Sequence, residues 1–104
     1  FFSPLDITAQ ALPESDAIVC RDVLTHLPHG MVREALKQLK TSRSGYLIAT
    51  SHPRGRNDWI KIGGWQPLDL TAPPFELPPP SITIPEKLPG SAKSLGIWRM
   101  ADLP

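Results

Sequence analysis

The 104 residues contain a single cysteine, Cys20, so no disulfide can close within the chain. Cys20 sits inside an apolar run and reads as a small buried hydrophobe, which fits a reducing, cytoplasmic setting. No apolar run approaches the roughly 18 residues of a membrane span, and no signal-peptide pattern is present, so no membrane partner is expected. Charge of one sign is lacking too: 11 Lys and Arg against 10 Asp and Glu leave +1. That balance gives no nucleic-acid signal, which would require a basic patch or stripe. The small cluster Arg54, Arg56 and Lys61 is interrupted by Asp58 and reads as a solvated loop.

Several motifs are missing as well. There is no Gly-x-Gly-x-x-Gly, no P-loop and no Gly-x-Ser-x-Gly elbow, which removes the usual local signals for dinucleotide binding, phosphate cradling and serine nucleophiles. Cys20, His26 and His29 lack a fourth ligand and no metal is expected. At this length one domain is the ceiling, with one core burying roughly 60–68% of the unfolded chain's surface. Proline alone is abundant: 13 residues, eight of them between Pro67 and Pro89.

The chain is organised around Asp16 to Pro28. Ala17-Ile18-Val19-Cys20 reads as a short strand buried on both faces, as in a parallel sheet. Arg21 and Asp22 follow at once, so they stand at its carboxyl end, where ligands bind in open α/β sheets. Beyond Pro28-His29-Gly30, apolar residues at 31, 32, 35, 36 and 39 define one face of a helix. Tyr46 to Ser51 is a second buried strand, and strand, helix and strand make a βαβ unit. Residues 52–80 form a long Gly/Pro-rich loop insertion with polyproline-like pieces. Ser81 to Ile84 and Ser94 to Met100 alternate like strands and are expected to pair as an antiparallel hairpin closing a sheet edge, with Pro85 suiting the edge position. The fold class is therefore α/β.

Two groups of residues suggest chemistry. Asp22 and His26 stand four apart and would face each other in a helical turn, a carboxylate holding an imidazole for general-base work; a helix-start acid and a surface histidine are the plainer alternative. Trp59 and Trp65 flank Gly63-Gly64 and could cover a ligand, or plug the loop onto the core. Trp98, on an alternating strand, reads as core.

Asp6-Ile7-Thr8, Leu12-Pro13 and the run Asp16 to Leu27 resemble the middle of class I S-adenosylmethionine-dependent methyltransferases. The later segments resemble one subgroup of bacterial and environmental members: Tyr46 to Ser51, Asn57-Asp58 with Ile60, Gly63 with Trp65, Pro67-Leu68-Asp69-Leu70, Pro73-Pro74-Phe75 with Leu77-Pro78, and Lys93 to Trp98. The resemblance implies a seven-stranded Rossmann-like sheet with helices on both faces and a final antiparallel hairpin. It implies that Asp6 hydrogen-bonds the adenine amino group and that Ile7 packs on the ring. Cys20, Arg21 and Asp22 would lie beside the methionine moiety and the acceptor, and His26 could be the acceptor's base. Asn57 and Trp65 match the subgroup's substrate side, where Trp59 is also placed. Asp69 stands where the subgroup usually has Asn, and Gln66 where Arg is usual. The glycine-rich cofactor loop and the ribose-holding acid have no counterpart, so the chain corresponds to the family's C-terminal half from its third strand on.

The expectations are then methyl transfer from S-adenosylmethionine to a small-molecule or sugar acceptor by the complete domain, of which residues 1–104 are a single, partial unit. One alternative is a non-catalytic half-fold that self-associates or pairs with a chain supplying the missing N-terminal strands. Another is a small carbohydrate- or peptide-binding module using Trp59, Trp65 and the proline segment.

Overall fold

The computed structural model describes residues 6–53, 57, 64–87 and 92–104. The described residues form a small α/β domain: a mixed four-stranded sheet with one α-helix. Strand β1 is Ala17–Cys20, helix α1 is His29–Thr41, β2 is Tyr46–Ser51, β3 is Ile82–Pro85 and β4 is Ser94–Arg99. The spatial order is β1-β2-β4-β3. β1 and β2 are parallel, whereas β4 runs antiparallel to both β2 and β3. Short 3-10 turns occupy Leu24–His26 and Met100–Asp102. Among the described residues no helix is long and apolar enough to cross a membrane.

The helix begins two residues earlier than its apolar face suggests. Pro28 takes the N-cap position with extended backbone, φ −60 and ψ 156, a geometry its ring favours. At the other end the Ser42 hydroxyl donates to the Leu39 carbonyl at 2.6 Å, and Arg43 takes a left-handed φ of 60 that stops the helix. Lys40 reaches beyond its own helix and donates to the carbonyls of Met100 and Leu103, at 3.1 and 2.6 Å, tying the chain's end to α1. Glu34 and Lys37 pair on the exposed side at 3.3 Å.

Strand alternation assigns the two faces. Register places Ile18 and Cys20 beside Leu47 and Ala49, and these beside Trp98 and Gly96. This face shares one core with Val32, Ala35 and Leu39 of α1. The opposite face carries Ala17, Val19, Tyr46, Ile48, Leu95, Ile97, Ile82 and Ile84. Val19 is 61% and Ile82 56% exposed, and Tyr46 and Ile84 are nearly as open. The expectation that β1 is buried on both faces therefore fails. Among the described residues β1 has a neighbour on one side only, and α1 covers one face of the sheet.

Residues 64–80 of the proline-rich insertion hold no helix or strand, yet they contribute to the core. Leu68, Leu70, Ala72, Phe75 and Leu77 are all buried, and four of them belong to the main core. Trp98 holds this segment down. Its indole N–H donates to the Pro78 carbonyl at 2.7 Å, and its ring lies back over Gly96. A Cβ at position 96 would run into the ring's Cη2 and Cζ3, so only glycine leaves the ring its seat.

Gly96→Ala is accordingly expected to destabilise the domain by about 1–3 kcal/mol, the range for overpacking a filled core. The midpoint of chemical unfolding reads this directly. An unchanged midpoint would show that the Trp98 ring is not seated there.

Candidate functional site

The charged residues expected at the carboxyl end of β1 do gather there, around partners from the far end of the chain. Asp22 follows β1 with a left-handed φ of 56, which swings its N–H onto the Thr50 hydroxyl of β2 at 2.7 Å. Its carboxylate meets Lys93 Nζ at 2.6 Å, and Lys93 also lies 3.5 Å from Glu86. Arg21 grips Glu86 with two nitrogens, at 3.1 and 3.3 Å. Four charges thus form one chain across the sheet's end, linking the parallel strand to the hairpin.

The electrostatics follow from this geometry. Hydrogen bonding from Lys93 is the main influence holding the Asp22 carboxyl below its usual range, and burial, the next largest, opposes it. Arg21 does the same for Glu86, and the Asp22 bond raises Lys93. Lys93 and Glu86 are mostly enclosed, whereas Arg21 is open to solvent, which screens its pair with Glu86. Cys20 is buried in the core, and burial pushes its thiol up and away from reactivity.

His26 is oriented differently from the sequence-based expectation. Its Nδ1 lies 3.1 Å from the carbonyl oxygen of Gly64. A carbonyl only accepts, so Nδ1 carries the proton and Nε2 keeps its lone pair. That is a base-competent tautomer on an exposed side chain, set by a backbone carbonyl, with Asp22 committed to Lys93. Nearby, the Gln66 amide lies 3.2 Å from His29 Nε2, and the Gln66 N–H donates to the Thr25 carbonyl.

The other expected site residues are placed as follows. Asp6 is exposed, and one carboxylate oxygen accepts from the Thr8 N–H and hydroxyl at 2.9 and 2.6 Å, which lowers its pKa. Ile7 is half-buried against the core. Asn57 clamps backbone: its amide donates to the carbonyls of Asp69 and Pro73, and its oxygen accepts from the Asp69 N–H at 2.7 Å. Trp65 is 55% exposed and stands edge-on to His52, ring centres 5.8 Å apart. Trp59, like Arg54, Arg56, Asp58 and Lys61, lies outside the described residues.

Comparison with protein-family models, with curated proteins and with solved structures finds no match. The site is therefore read from its own geometry. Lys93, Glu86 and Gly64 were missed in the sequence because they are 38 to 71 positions from the groups they fix. Their local signal was the charge of Glu86 and Lys93 flanking the segment between the two strands expected to pair.

The depressed carboxyls give the pH dependence its sign. Their contribution to stability is fully present above the ordinary carboxylate range, about pH 4–5, and is lost as pH falls through the lowered folded values. Lys93→Met is expected to unfold more easily than the parent near neutral pH and to lose less on acidification. Unfolding midpoints taken at a series of pH values check this; parallel curves would remove the network as a source of stability.

Proposed function

We propose that this chain is the C-terminal half of a class I S-adenosylmethionine-dependent methyltransferase domain, with the Rossmann-like sheet that this implies. The observation that carries the reading is the sheet's construction. Two parallel strands are followed by an antiparallel hairpin whose second strand docks on β2, and Arg21 and Asp22 stand at the carboxyl end of the parallel pair. Crevices at that end are where α/β sheets take their ligands.

The residues suit the cofactor unequally. Asp6 is exposed and keeps one carboxylate oxygen beyond its Thr8 contacts, so it can accept from an exocyclic amine, and Ile7 beside it offers apolar surface. The Cys20 thiol is buried, the Arg21 guanidinium is engaged by Glu86 and the Asp22 carboxylate by Lys93, so that segment would contribute backbone groups. The cofactor, when bound, supplies a methyl group already activated on a sulfonium sulfur. The chain's task is to hold a small-molecule or sugar acceptor in line and to take its proton, for which His26 Nε2 is the available base.

An amide-shift titration with S-adenosylhomocysteine tests the reading. Saturable shifts are expected at residues 6–8 and 20–22, weakened roughly tenfold in Asp6→Ala by loss of one charge-assisted hydrogen bond. A folded sample whose shifts at both segments stay still would end the methyltransferase assignment for this chain.

The open face of the sheet favours a second reading, a non-catalytic half that pairs with itself or with a chain supplying further strands. Val19, Tyr46, Ile82 and Ile84 are the kind of contiguous apolar surface that marks an interaction site. Sedimentation is expected to show concentration-dependent association that Ile82→Lys weakens. A chain that stays monomeric at millimolar concentration would remove this second reading.

A further inference from the structure

A cleft of about 220 Å³ opens between α1, the 74–77 stretch and the last two residues of the chain. It shares no residue with the charged rim of Arg21, Asp22, Glu86 and Lys93, nor with the open face of the sheet. Its floor is apolar: Phe75, Leu77 and Leu103 are buried, and Leu36 is half-buried beside them. Pro74 contributes a stiff ring to the wall, and the Phe75 ring stands edge-on to His29, ring centres 5.2 Å apart. The space is smaller than the roughly 300 Å³ at which drug-sized sites begin and larger than the roughly 150 Å³ that holds benzene, so it suits one ring with a short arm.

The charge at its mouth has one sign. Among the described residues the polar side chains at the lining are Arg33 and Lys37, and no acidic side chain joins them. They stand one turn apart on the same face of α1. Among the described residues Arg33 takes part in no ion pair. Lys37 lies 3.3 Å from Glu34, but both side chains are mostly open to solvent, which screens the pair and leaves the ammonium easy to redirect. A third cation, Lys40, is held on the Leu103 carbonyl at 2.6 Å and adds its charge to the same side. Arg33 and Lys37 are long side chains at exposed positions, so their heads reach the mouth by rotation alone, with no backbone movement.

We propose that this cleft binds a compact aromatic carboxylate, its ring on Phe75, Leu77 and Leu103 and its carboxylate between Arg33 and Lys37. The planar guanidinium fork matches a carboxylate, and an aromatic ring gains from edge or offset contact with Phe75. A neutral ring of the same shape keeps the apolar contact and loses the ionic one. A cationic ring meets repulsion. The inference does not rest on the methyltransferase reading.

The test is a titration of the full chain with phenylacetate, phenylacetamide and phenethylamine, followed at the amides of Phe75, Leu77 and Leu103. Phenylacetate is expected to give saturable shifts and to bind at least roughly threefold more tightly than phenylacetamide, with phenethylamine weakest. Raising salt from about 10 to 300 mM should narrow the gap between phenylacetate and phenylacetamide. Arg33→Gln is expected to weaken phenylacetate several-fold and to leave phenylacetamide unchanged. Leu36→Trp, which places an indole at the cleft wall, is expected to remove the shifts from both. Equal binding of the three probes, no saturable phenylacetate shifts at residues 75, 77 and 103, undiminished phenylacetate binding in Arg33→Gln, or shifts that survive Leu36→Trp would each overturn the assignment. Arg33→Gln changes only an exposed helical position, so it decides the matter should Leu36→Trp fail to fold. These shifts are separate from those expected of S-adenosylhomocysteine at 6–8 and 20–22, so failure of one proposal is distinguishable from failure of the other.

Discussion

The structure depends on how Trp98 is seated. A chain stretch with prolines at 67, 73, 74, 78, 79 and 80 cannot build a hydrogen-bonded ladder, because proline has no N–H to give. The segment must still bury Leu68, Leu70, Phe75 and Leu77 to complete a core of this size. Side chains do the work that a ladder would otherwise do. The Trp98 indole takes the Pro78 carbonyl, Asn57 brackets Asp69 and Pro73, the Ser51 hydroxyl receives Leu70, and His52 Nδ1 accepts from Leu68. Of these anchors only Trp98 also covers the sheet, and it can do so because position 96 has no side chain. A ring laid flat along its own strand is an unusual use of an alternating β pattern, since side chains two apart normally stand parallel on one face.

The sheet is asymmetric in both directions. Across its thickness, one face holds α1 and the 64–80 segment while the other is an open field of branched aliphatic side chains. Parallel strands are normally covered on both faces. Across its width, the two edges differ. β3 ends in Pro85 and is sealed at its ends by Ser81 donating to Ile97 and Glu86 donating to Lys93. A proline on an edge is a common guard against further pairing. β1 has no proline, no charge and no bulge, and its exposed Val19 joins the open face to the open edge. Among the described residues, the open face and the β1 edge are therefore contiguous.

Much of the fold was legible because it is local. Val, Ile and Thr in short runs made the strands, the apolar spacing from Met31 to Leu39 made the helix, and alternation with Pro85 made the hairpin. The burial of β1 was misread because an apolar run of four looks the same whether neighbours cover it or not. The burial within the proline segment was not legible for a different reason. Its composition suggests a loop, but its leucines and Phe75 have no period to betray them, and only tertiary contact shows that they are core. In the site, Arg21 and Asp22 were located correctly at the strand's end by the change from apolar to charged residues. Their partners were not, since spacing arguments reach four residues and Lys93 lies 71 away from Asp22.

The same limit explains why the Asp22–His26 pair gave way to two separate arrangements. A helical turn would align residues four apart, but Asp22 leaves β1 with a positive φ and the turn begins only at Leu24. That single backbone torsion sends the carboxylate toward the hairpin, where Lys93 sits one residue before β4, and leaves His26 facing the 64–80 segment. Both rim residues are thus positioned from β4: Asp22 through Lys93, and His26 through a segment whose far end is pinned by Trp98. The antiparallel strand that closes the sheet is also the element that sets the rim. A change in the seating of Trp98 should therefore reach the orientation of His26 through the chain that connects Pro78 to Gly64, without any direct contact between the tryptophan and the histidine.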